Sequence, residues 1–383
     1  MKPIKMIDLP AQQKLIRPQL EKAIVTVLDS GDYILGKKTL ELEAKLAEFC
    51  GAKFAISCAN GTDALSLVLR AKEVSSVDAI FVPAFTFTAT AEAVVLSGAT
   101  PVFVDVLANS FNMDPSSLED AILLAKKNNL KPAGIIPVDL FGLPADYHSI
   151  QSIADKHGLW VLCDSAQSFG ADFFNKKVGT FGMATATSFF PSKPLGCYGD
   201  GGCMFTDDAK LAEILRSIRV HGAKITNGIV DKYNNVHIGV NSRLDTLQAA
   251  ILLEKLKIFP QEINLRNQVA NIYNDLLKDL NNIILPIIDP KITSVWAQYT
   301  IKLNNTKKFN NQTLQLALDK AGIPSVIYYS KPISSHSPYA NFYRVDLSVA
   351  EQLSQTVLSL PMHPYLSFDD QKDIVGALQN ILN

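Results

Sequence analysis

The chain has 383 residues, of which 48% are hydrophobic and 19% are charged. This composition is typical of a compact α/β protein with a large core, not of a disordered or fibrous one. The length allows roughly two or three domains, or one large domain with a smaller companion. Lysine and arginine total 36 against 37 acidic residues, so charge gives no reason to expect nucleic acid or an anionic membrane as a partner.

The cysteines are odd in number and show neither a CxxC pair nor a metal-finger spacing. This number and spacing of cysteines favours a reducing cytoplasm and predicts no metal site. The N-terminal stretch MKPIKMIDLPAQQ lacks the apolar core of a signal peptide, and no apolar run approaches the roughly 20 residues that span a bilayer. We therefore expect a cytoplasmic protein without a membrane segment.

Short apolar runs alternate with helix-like stretches between about residues 51 and 207. The helix-like stretches include DALSLVLRAKE, TATAEAVVLSGA and YHSIQSIADKHG, which have apolar residues at helical spacing. This alternation predicts a mostly parallel sheet covered on both faces, with ligands at the carboxyl ends of its strands. The predicted strands are KFAISCA, DAIFVPA, TPVFVDV, AGIIPVDLFG, WVLCD, ATATSFF and CMFTDD.

A long amphipathic helix is predicted from about residue 247, and we expect Pro260 to kink or divide it because proline removes a backbone donor. From near Ile283 the pattern returns to strands such as WAQYTIKL and helices such as TLQLALDKAG. These patterns predict a large domain over residues 1–250 and a small C-terminal domain over residues 251–383, with the long helix between them.

Lys193 lies in the segment TSFFPSKPLGCYGDGG, after an apolar run and before a glycine cluster. Burial beside Phe189 and Phe190 would disfavour the ammonium form and free a nucleophilic amine, which can form a Schiff base. A lone lysine in a loop is more often a solvated surface group, so the argument needs further residues.

Two other segments have residue types that suit charged groups of a ligand, a cationic heterocycle in one case and a phosphate in the other. Asp164 ends the apolar strand of VLCDSAQSFGA, where a carboxylate is costly without a positive partner or hydrogen-bond donors. The alternative is that it caps the next helix. In NGTDALSLVL, Gly61 and Thr62 stand directly before a helix, whose N-terminal amides attract anions such as phosphate, although an ordinary capping loop is the alternative.

Phe85 and Phe87 follow a proline after a predicted strand, in VPAFTFTATAEAV. Core packing is the default for phenylalanine, but rings in a strand-end loop can also stack on a planar ligand. In an extended segment both rings would point to the same side, so the sequence does not choose between them.

In their order along the chain, these motifs resemble those of the DegT/DnrJ/EryC1/StrS family of PLP-dependent sugar aminotransferases. The resemblance spans nearly the whole chain. It implies an α/β protein of fold type I among PLP-dependent transferases (aspartate aminotransferase-like), with a large, mostly parallel sheet and a smaller C-terminal α/β domain. The motifs are GTDAL, the aromatic residue after VP, DSAQ, SFFPSK with its glycine loop, GVNSRLDTLQAA and SLPMHPYL.

The resemblance also implies roles for individual residues around pyridoxal 5'-phosphate (PLP). Lys193 would form the Schiff base with the cofactor and shuttle the proton during transamination, and Asp164 would pair with the pyridinium nitrogen. Phe87 is favoured over Phe85 as the stacking ring. The remaining implied cofactor contacts are Gln167 beside the oxygen side of the ring, and Gly61, Thr62 and Ser188 at the phosphate.

In such enzymes two subunits share each active site, so the resemblance implies a homodimer in which Asn241 reaches the partner's cofactor phosphate. Arg243 is suited to bidentate recognition of a carboxylate, with a surface salt bridge as the alternative. Tyr328 is a candidate sugar contact, although the subgroup discussed next has a His-Tyr-Pro run where this chain has Tyr-Tyr-Ser. His221 is a candidate contact for substrate or partner, and a structurally satisfied histidine is its alternative.

Among family members, the chain is similar to those that aminate C3 of a UDP-linked 2-acetamido-3-keto sugar, especially the 3-ketoglucuronate of surface polysaccharide or lipopolysaccharide (O-antigen) synthesis. L-Glutamate is the implied amino donor. The alternatives are another 3-keto or 4-keto nucleotide sugar, or a non-catalytic nucleotide-sugar-binding module. Lys193, Asp164 and Gln167 together argue against the module, and Lys193 argues against the dehydratase branch, which has histidine there.

Overall fold

The computed structural model describes residues 3–226, 228–304 and 309–382. Its helices, in chain order, are α1 (Leu9–Leu15), α2 (Arg17–Ser30), α3 (Lys37–Cys50), α4 (Gly61–Ala71), α5 (Ala89–Leu96), α6 (Pro115–Lys127), α7 (Tyr147–His157), α8 (Ala209–Ile218), α9 (Thr246–Leu277), α10 (Asn311–Lys320), α11 (Ser348–Thr356) and α12 (Phe368–Leu382). Short 3₁₀ turns cover Leu140–Gly142 and Ile333–Ser335.

The strands, in chain order, are β1 (Phe54–Cys58), β2 (Asp78–Pro83), β3 (Thr100–Val104), β4 (Lys131–Ile135), β5 (Trp160–Asp164), β6 (Asp172–Phe173), β7 (Lys176–Lys177), β8 (Ala184–Ser188), β9 (Gly202–Thr206), β10 (Ala223–Thr226), β11 (Ile229–Asn235), β12 (Ile283–Ile284), β13 (Ile292–Thr293), β14 (Tyr299–Leu303), β15 (Tyr343–Arg344) and β16 (Val357–Leu360). Each of the seven predicted strands between residues 51 and 207 is present, so this part of the prediction is confirmed.

The main sheet has eight strands in the order β1-β9-β8-β5-β4-β2-β3-β15. The strands from β8 to β15 pair in parallel, whereas β9 runs antiparallel to both of its neighbours. The predicted, mostly parallel sheet is therefore confirmed. The edge strand β15 comes from the C-terminal third of the chain, which the strand pattern did not predict.

Both faces of this sheet are buried, as parallel strands require. Along β2, Ala79 and Phe81 belong to one core cluster, while Ile80 and Val82 belong to another on the opposite face. Helices α3, α6, α7 and α9 contribute to the first cluster, and α4, α5, α8 and α11 to the second. The result is a helix-sheet-helix sandwich.

Helix α9 runs without a break through Pro260, so the expectation that this proline divides the helix is wrong. Proline removes one backbone donor, but packing along a long buried face outweighs that local loss. Phe259 and Ile263 flank the proline in the first core cluster. Further along, Val269, Tyr273 and Leu277 pack in a third cluster with β14, β16 and α12.

The C-terminal third also forms a separate antiparallel sheet in the order β12-β14-β16. In this third of the chain, the predicted strand WAQYTIKL appears as β14 and the predicted helix TLQLALDKAG appears as α10. Within the described ranges, no helix combines the length and the apolar character that a bilayer crossing requires.

A buried ion pair links the outer strand β1 to two helices. The Arg219 guanidinium donates to the Glu43 carboxylate at 2.5 Å and to the Ser57 carbonyl oxygen at 2.7 Å. Glu43 also accepts from the backbone N–H and the hydroxyl of Ser57. Because both charged side chains are buried, removing one leaves the other uncompensated.

We expect Arg219→Ala to lower the free energy of unfolding by about 3–5 kcal/mol, because the Glu43 carboxylate would stay buried without its cation. Urea denaturation followed by circular dichroism measures the change. The control is Arg216→Ala, which removes a half-buried arginine lying 5.4 Å from the Phe54 ring and should cost about 1 kcal/mol or less. Equal losses for the two variants would contradict the assignment of the ion pair as a structural link.

Candidate active site

A cavity of about 700 Å³ opens at the carboxyl ends of β5 and β8 and at the N-terminus of α4. This is the edge where ligands of parallel sheets bind. The structure brings eight of the sequence-predicted site residues together in its wall: Gly61, Thr62, Phe87, Asp164, Gln167, Ser188, Lys193 and Tyr328.

Asp164 is the last residue of β5, and its carboxylate is buried beside the cavity. The Thr90 hydroxyl donates to Oδ2 at 2.8 Å, and the Ala166 N–H donates to Oδ1 at 3.2 Å. Burial raises the pKa of Asp164, while these two hydrogen bonds and the charge of Lys193 oppose the rise. The chain continues into turns rather than a helix, so the alternative that Asp164 caps a helix is wrong.

Lys193 lies in the loop between β8 and β9, and its backbone N–H donates to the Phe190 carbonyl oxygen at 2.9 Å. Because β5 and β8 are parallel neighbours, with Asp164 in register with Ala186, the loop after β8 brings Lys193 to the same edge as Asp164. Burial lowers the pKa of Lys193, and the negative charge of Asp164 opposes the lowering. At a given pH, a larger fraction of this amine is therefore neutral than for a lysine with the ordinary pKa.

The two phenylalanines before Lys193 differ in position. Phe189 is fully buried in the first core cluster, whereas Phe190 is 51% exposed and lines the cavity. Phe189 therefore anchors the start of the loop, and Phe190 contributes to the wall beside the lysine.

The N-terminus of α4 forms the opposite end of the cavity. The Asn60 side chain caps this helix by accepting from the Asp63 N–H at 2.8 Å. Gly61 and Thr62 are the first two helical residues, and their N–H groups have no acceptor within the helix. A Cβ atom on Gly61 would lie 2.7 Å from Ser188 Cβ, so glycine is needed where α4 meets β8. The Asn60 side chain can therefore cap the helix while the Gly61 and Thr62 N–H groups bind an anion, so the two interpretations of this segment are compatible.

Phe85 and Phe87 do not share a side, contrary to the expectation for an extended segment. Strand β2 ends at Pro83, and the chain bends over the next residues. Phe85 is 1% exposed and packs in the second core cluster, whereas Phe87 is 55% exposed and lines the cavity. Only Phe87 is therefore placed to face a ligand there.

Gln167 is held by hydrogen bonds at both ends of its amide. Its Oε1 accepts from the Phe141 N–H at 2.7 Å, and its Nε2 donates to the Tyr329 hydroxyl at 3.2 Å. Because a backbone N–H can only donate, the amide oxygen must face Phe141, which fixes the orientation of the group. Gln167 therefore joins the turn after β5 to Tyr329 in the C-terminal third.

Three sequence-predicted residues do not line this cavity: His221, Asn241 and Arg243. His221 and Asn241 lie exposed beside the β10-β11 hairpin, where the His221 N–H donates to the Val240 carbonyl oxygen at 2.9 Å. Between Asn241 and Arg243, the Ser242 hydroxyl donates to Asp63 at 2.7 Å. This bond fixes the segment to the first turn of α4.

Sequence reasoning missed several residues of the cavity wall. Thr90 is the donor to Asp164, and its only signal was a hydroxyl within the apolar stretch TATAEAVV. Tyr329 is the second residue of a tyrosine pair, and Gln298 precedes β14. Across the described ranges, no group of three or more His, Cys, Asp or Glu residues could hold a metal ion.

Comparison with known proteins agrees with this geometry. The chain matches the model of the DegT/DnrJ/EryC1/StrS aminotransferase family over residues 14–379. It therefore belongs to this family of aminotransferases, and its fold is fold type I of the PLP-dependent transferases.

Individual relatives are similar over nearly their whole length. The chain is 45% identical to the UDP-2-acetamido-2-deoxy-3-oxo-D-glucuronate aminotransferase of Pseudomonas aeruginosa, covering 98% of this chain and 100% of that protein. It is 40% identical to the UDP-N-acetyl-3-dehydro-alpha-D-glucosamine 3-aminotransferase of Acidithiobacillus ferrooxidans, covering 99% and 98%.

Solved structures show the same similarity. A DegT/DnrJ/EryC1/StrS aminotransferase from Brucella abortus superposes with a TM-score of 0.94 at 48% identity, covering 99% of each chain. NtdA from Bacillus subtilis, solved with bound cofactor PMP, gives a TM-score of 0.84 at 26% identity, covering 98% of this chain and 83% of that one.

We expect Asp164→Asn to shift the pH dependence of Lys193 reactivity to lower pH in the cofactor-free protein. The carboxylate favours the ammonium form of Lys193, so its removal lowers the pKa of the amine further and increases the neutral fraction at a given pH. Reductive methylation across a pH series, with Lys193 quantified by mass spectrometry, measures the shift.

The matched control is Asp200→Asn, which removes an exposed carboxylate from the same cavity wall. Asp200 is not among the charges that act on the pKa of Lys193, so this variant should keep the original profile. An unchanged profile for Asp164→Asn, or a shift to higher pH, would contradict the proposed coupling between the two side chains.

Proposed function

We propose that this aminotransferase holds PLP in the cavity between Asp164 and the N-terminus of α4, and transfers an amino group from L-glutamate to C3 of a UDP-linked 2-acetamido-3-keto sugar. The favoured sugar is the 3-ketoglucuronate, used in surface polysaccharide or lipopolysaccharide synthesis. One observation carries the proposal. A buried carboxylate and a half-buried lysine line one cavity, and the N-terminus of α4 lines the same cavity.

The residues of the cavity fit PLP at both ends of that molecule. A phosphate matches the free amides of Gly61 and Thr62 and the nearby Ser188 hydroxyl. A pyridinium cation matches Asp164, because it would offset the burial that raises the pKa of the carboxylate. Phe87 supplies an exposed aromatic face in the wall between these ends.

When bound, PLP supplies an electron sink that stabilises negative charge at the substrate carbon. The protein side chains do the remaining work. Lys193 would be the nucleophile that holds the cofactor, and once the substrate amine has displaced it, its Nζ would accept the proton that leaves the amine-bearing substrate carbon. Burial lowers the pKa of Lys193, and this direction suits both tasks because a nucleophile or a base acts in its unprotonated form.

Asp164 would keep a proton on the ring nitrogen of the bound cofactor, and the orientation of its carboxylate is set by Thr90 and by the Ala166 N–H. Both hydrogen bonds favour the ionised carboxylate that this task requires. Gln167 cannot rotate freely, because Phe141 and Tyr329 hold its two ends. A ring bound beside Gln167 would therefore face an amide group of fixed orientation.

The enzyme acts as a homodimer in this proposal, with Asn241 reaching the phosphate in the partner's cavity. Its exposed position outside its own cavity supports this role. The neighbouring hairpin also exposes apolar side chains that a partner subunit would cover, namely Ile229, Tyr233 and Ile238. His221 lies on the same exposed surface.

Substrate choice depends on Arg243 and on the Tyr328 segment. The names of the two curated relatives, at 45% and 40% identity, support amination at C3 of a UDP-linked 3-keto sugar. A guanidinium at Arg243 suits the carboxylate of a uronic acid or of glutamate. The Tyr-Tyr-Ser sequence beginning at Tyr328 favours a second candidate, a 3-keto or 4-keto nucleotide sugar of different shape.

We expect the purified enzyme with glutamate to aminate UDP-2-acetamido-3-ketoglucuronate faster than the 3-keto sugar without the carboxylate, and faster than 4-keto sugars. Product mass spectrometry and release of 2-oxoglutarate measure the preference.

Lys193→Ala should lower kcat by about 10⁴-fold or more, because proton transfer alone contributes roughly 10²–10⁴-fold. Lys372→Ala, at an exposed lysine, is the control. Full activity of Lys193→Ala would refute its assigned role, and a preferred 4-keto sugar would overturn the assignment to C3.

Mixed dimers test whether Asn241 serves the partner's site. Asn241→Ala and Lys193→Ala homodimers should each be strongly impaired. A purified mixed dimer should regain about half of the original activity, because one of its two sites combines an intact Lys193 with an intact Asn241 from the other subunit. A mixed dimer no more active than the two homodimers would show that Asn241 does not act across the interface.

A further inference from the structure

The loop that carries Lys193 is held from behind by α9. Residues 189–201 join β8 to β9 without regular secondary structure. Two side chains on the same face of α9, seven residues apart, contact this loop. Gln248 accepts from the Tyr198 N–H at 2.9 Å, and Lys255 donates from Nζ to the Gly196 carbonyl oxygen. The loop is therefore attached to the helix a few residues after Lys193.

Lys255 is buried, with 1% of its surface exposed, and its Nζ also lies 4.8 Å from the centre of the Tyr198 ring. Burial lowers the pKa of Lys255 to about 8, and the charge of Glu262 opposes the lowering. Glu262 is itself buried, seven residues further along α9. The ammonium group thus has one backbone acceptor, one aromatic face and one counter-charge.

Glu262 connects this arrangement to both ends of the chain. Its carboxylate accepts from Gln12 Nε2 at 2.7 Å and from the Tyr365 hydroxyl at 2.5 Å. Lys193, Lys255 and Glu262 also line one small cavity, of about 20 Å³, together with Gln12 and Tyr365. Lys193 therefore lies between the large cavity and this buried polar cluster.

Stability alone does not explain a buried lysine here. Burial disfavours the charged form of Lys255, so an apolar side chain of similar size would carry no such cost. The loop is also close-packed at the point of contact, because a Cβ on Gly196 would lie 2.5 Å from the Phe190 carbonyl oxygen. A donor directed at the Gly196 carbonyl fixes the loop in one position, which an apolar side chain cannot do.

We propose that Lys255, with Glu262 as its counter-ion, is a positioning residue that fixes the Lys193 loop and so places the Lys193 amine for reaction. The inference rests on the proposed function, in which Lys193 is the nucleophile. Lys255 acts through the Gly196 backbone and contacts neither substrate nor cofactor.

The test compares Lys255→Met with Lys257→Met in the full-length protein. Methionine keeps the length and apolar stem of lysine but removes the donor and the charge. Lys257 lies on the same helix, is exposed and pairs with Glu254 at 2.6 Å. The Lys257→Met variant therefore shows the effect of removing a lysine from α9 at an exposed position. Three quantities are measured for each variant: the thermal midpoint, kcat and KM for the keto sugar, and the rate at which the cofactor-free protein forms a borohydride-trapped PLP adduct at Lys193.

Lys255→Met should lower kcat by about 10- to 100-fold, the range expected when a reacting group is misplaced by about 1 Å. The KM for the sugar should change by less than about twofold, because sugar binding is untouched. Formation of the Lys193 adduct should slow relative to Lys257→Met. Lys255→Arg should recover part of both rates, because a guanidinium can still donate to the Gly196 carbonyl.

If Lys255→Met does not fold, Gln248→Leu removes the other contact between α9 and the loop and should give the same pattern. Adduct rates and kcat equal to those of Lys257→Met would overturn the proposal. The proposal would also be overturned if the loss of activity were explained entirely by a lowered thermal midpoint. Failure of the proposed function is distinguishable, because the unaltered protein would then form no Lys193 adduct at all.

Discussion

The site depends on one arrangement, in which the buried carboxylate at the end of β5 and the half-buried lysine of the loop after the neighbouring strand β8 line the same cavity. Neither charge is well solvated there, and burial raises the pKa of Asp164 while it lowers that of Lys193. The charges of the two side chains only partly compensate each other. A ligand that brings a cation to Asp164 and an aldehyde to Lys193 would offset the unfavourable burial at both groups.

The rest of the fold maintains this arrangement. Parallel pairing of β5 with β8 places Asp164 in register with Ala186, seven residues before Lys193, and helices pack on both faces of the sheet. At the far end of the cavity, Gly61 packs against Ser188, and a Cβ on Gly202 would lie 2.3 Å from the Asn60 carbonyl oxygen. The start of α4 therefore lies close against β8 and β9. This places the N-terminal amides of α4 at a fixed distance from the carboxylate.

The sequence predicted the elements whose signal is local and regular. Apolar runs predicted β5 and β8, and the NGTDAL segment predicted the start of α4, so most of the cavity wall followed from where these elements end. Other features depend on packing between distant segments. Pro260 remains inside a helix because the surrounding core outweighs its local preference, and Phe85 separates from Phe87 because the chain bends after β2. Thr90 has no motif at all, and only its distance to Asp164 reveals it.

A crystal structure of the protein grown with PLP tests the central claim most directly. The account predicts electron density continuous with Lys193 Nζ, a ring nitrogen within hydrogen-bonding distance of Asp164, and a phosphate group at the amides of Gly61 and Thr62. A cofactor bound elsewhere, or bound in this cavity with Asp164 away from the ring nitrogen, would contradict it.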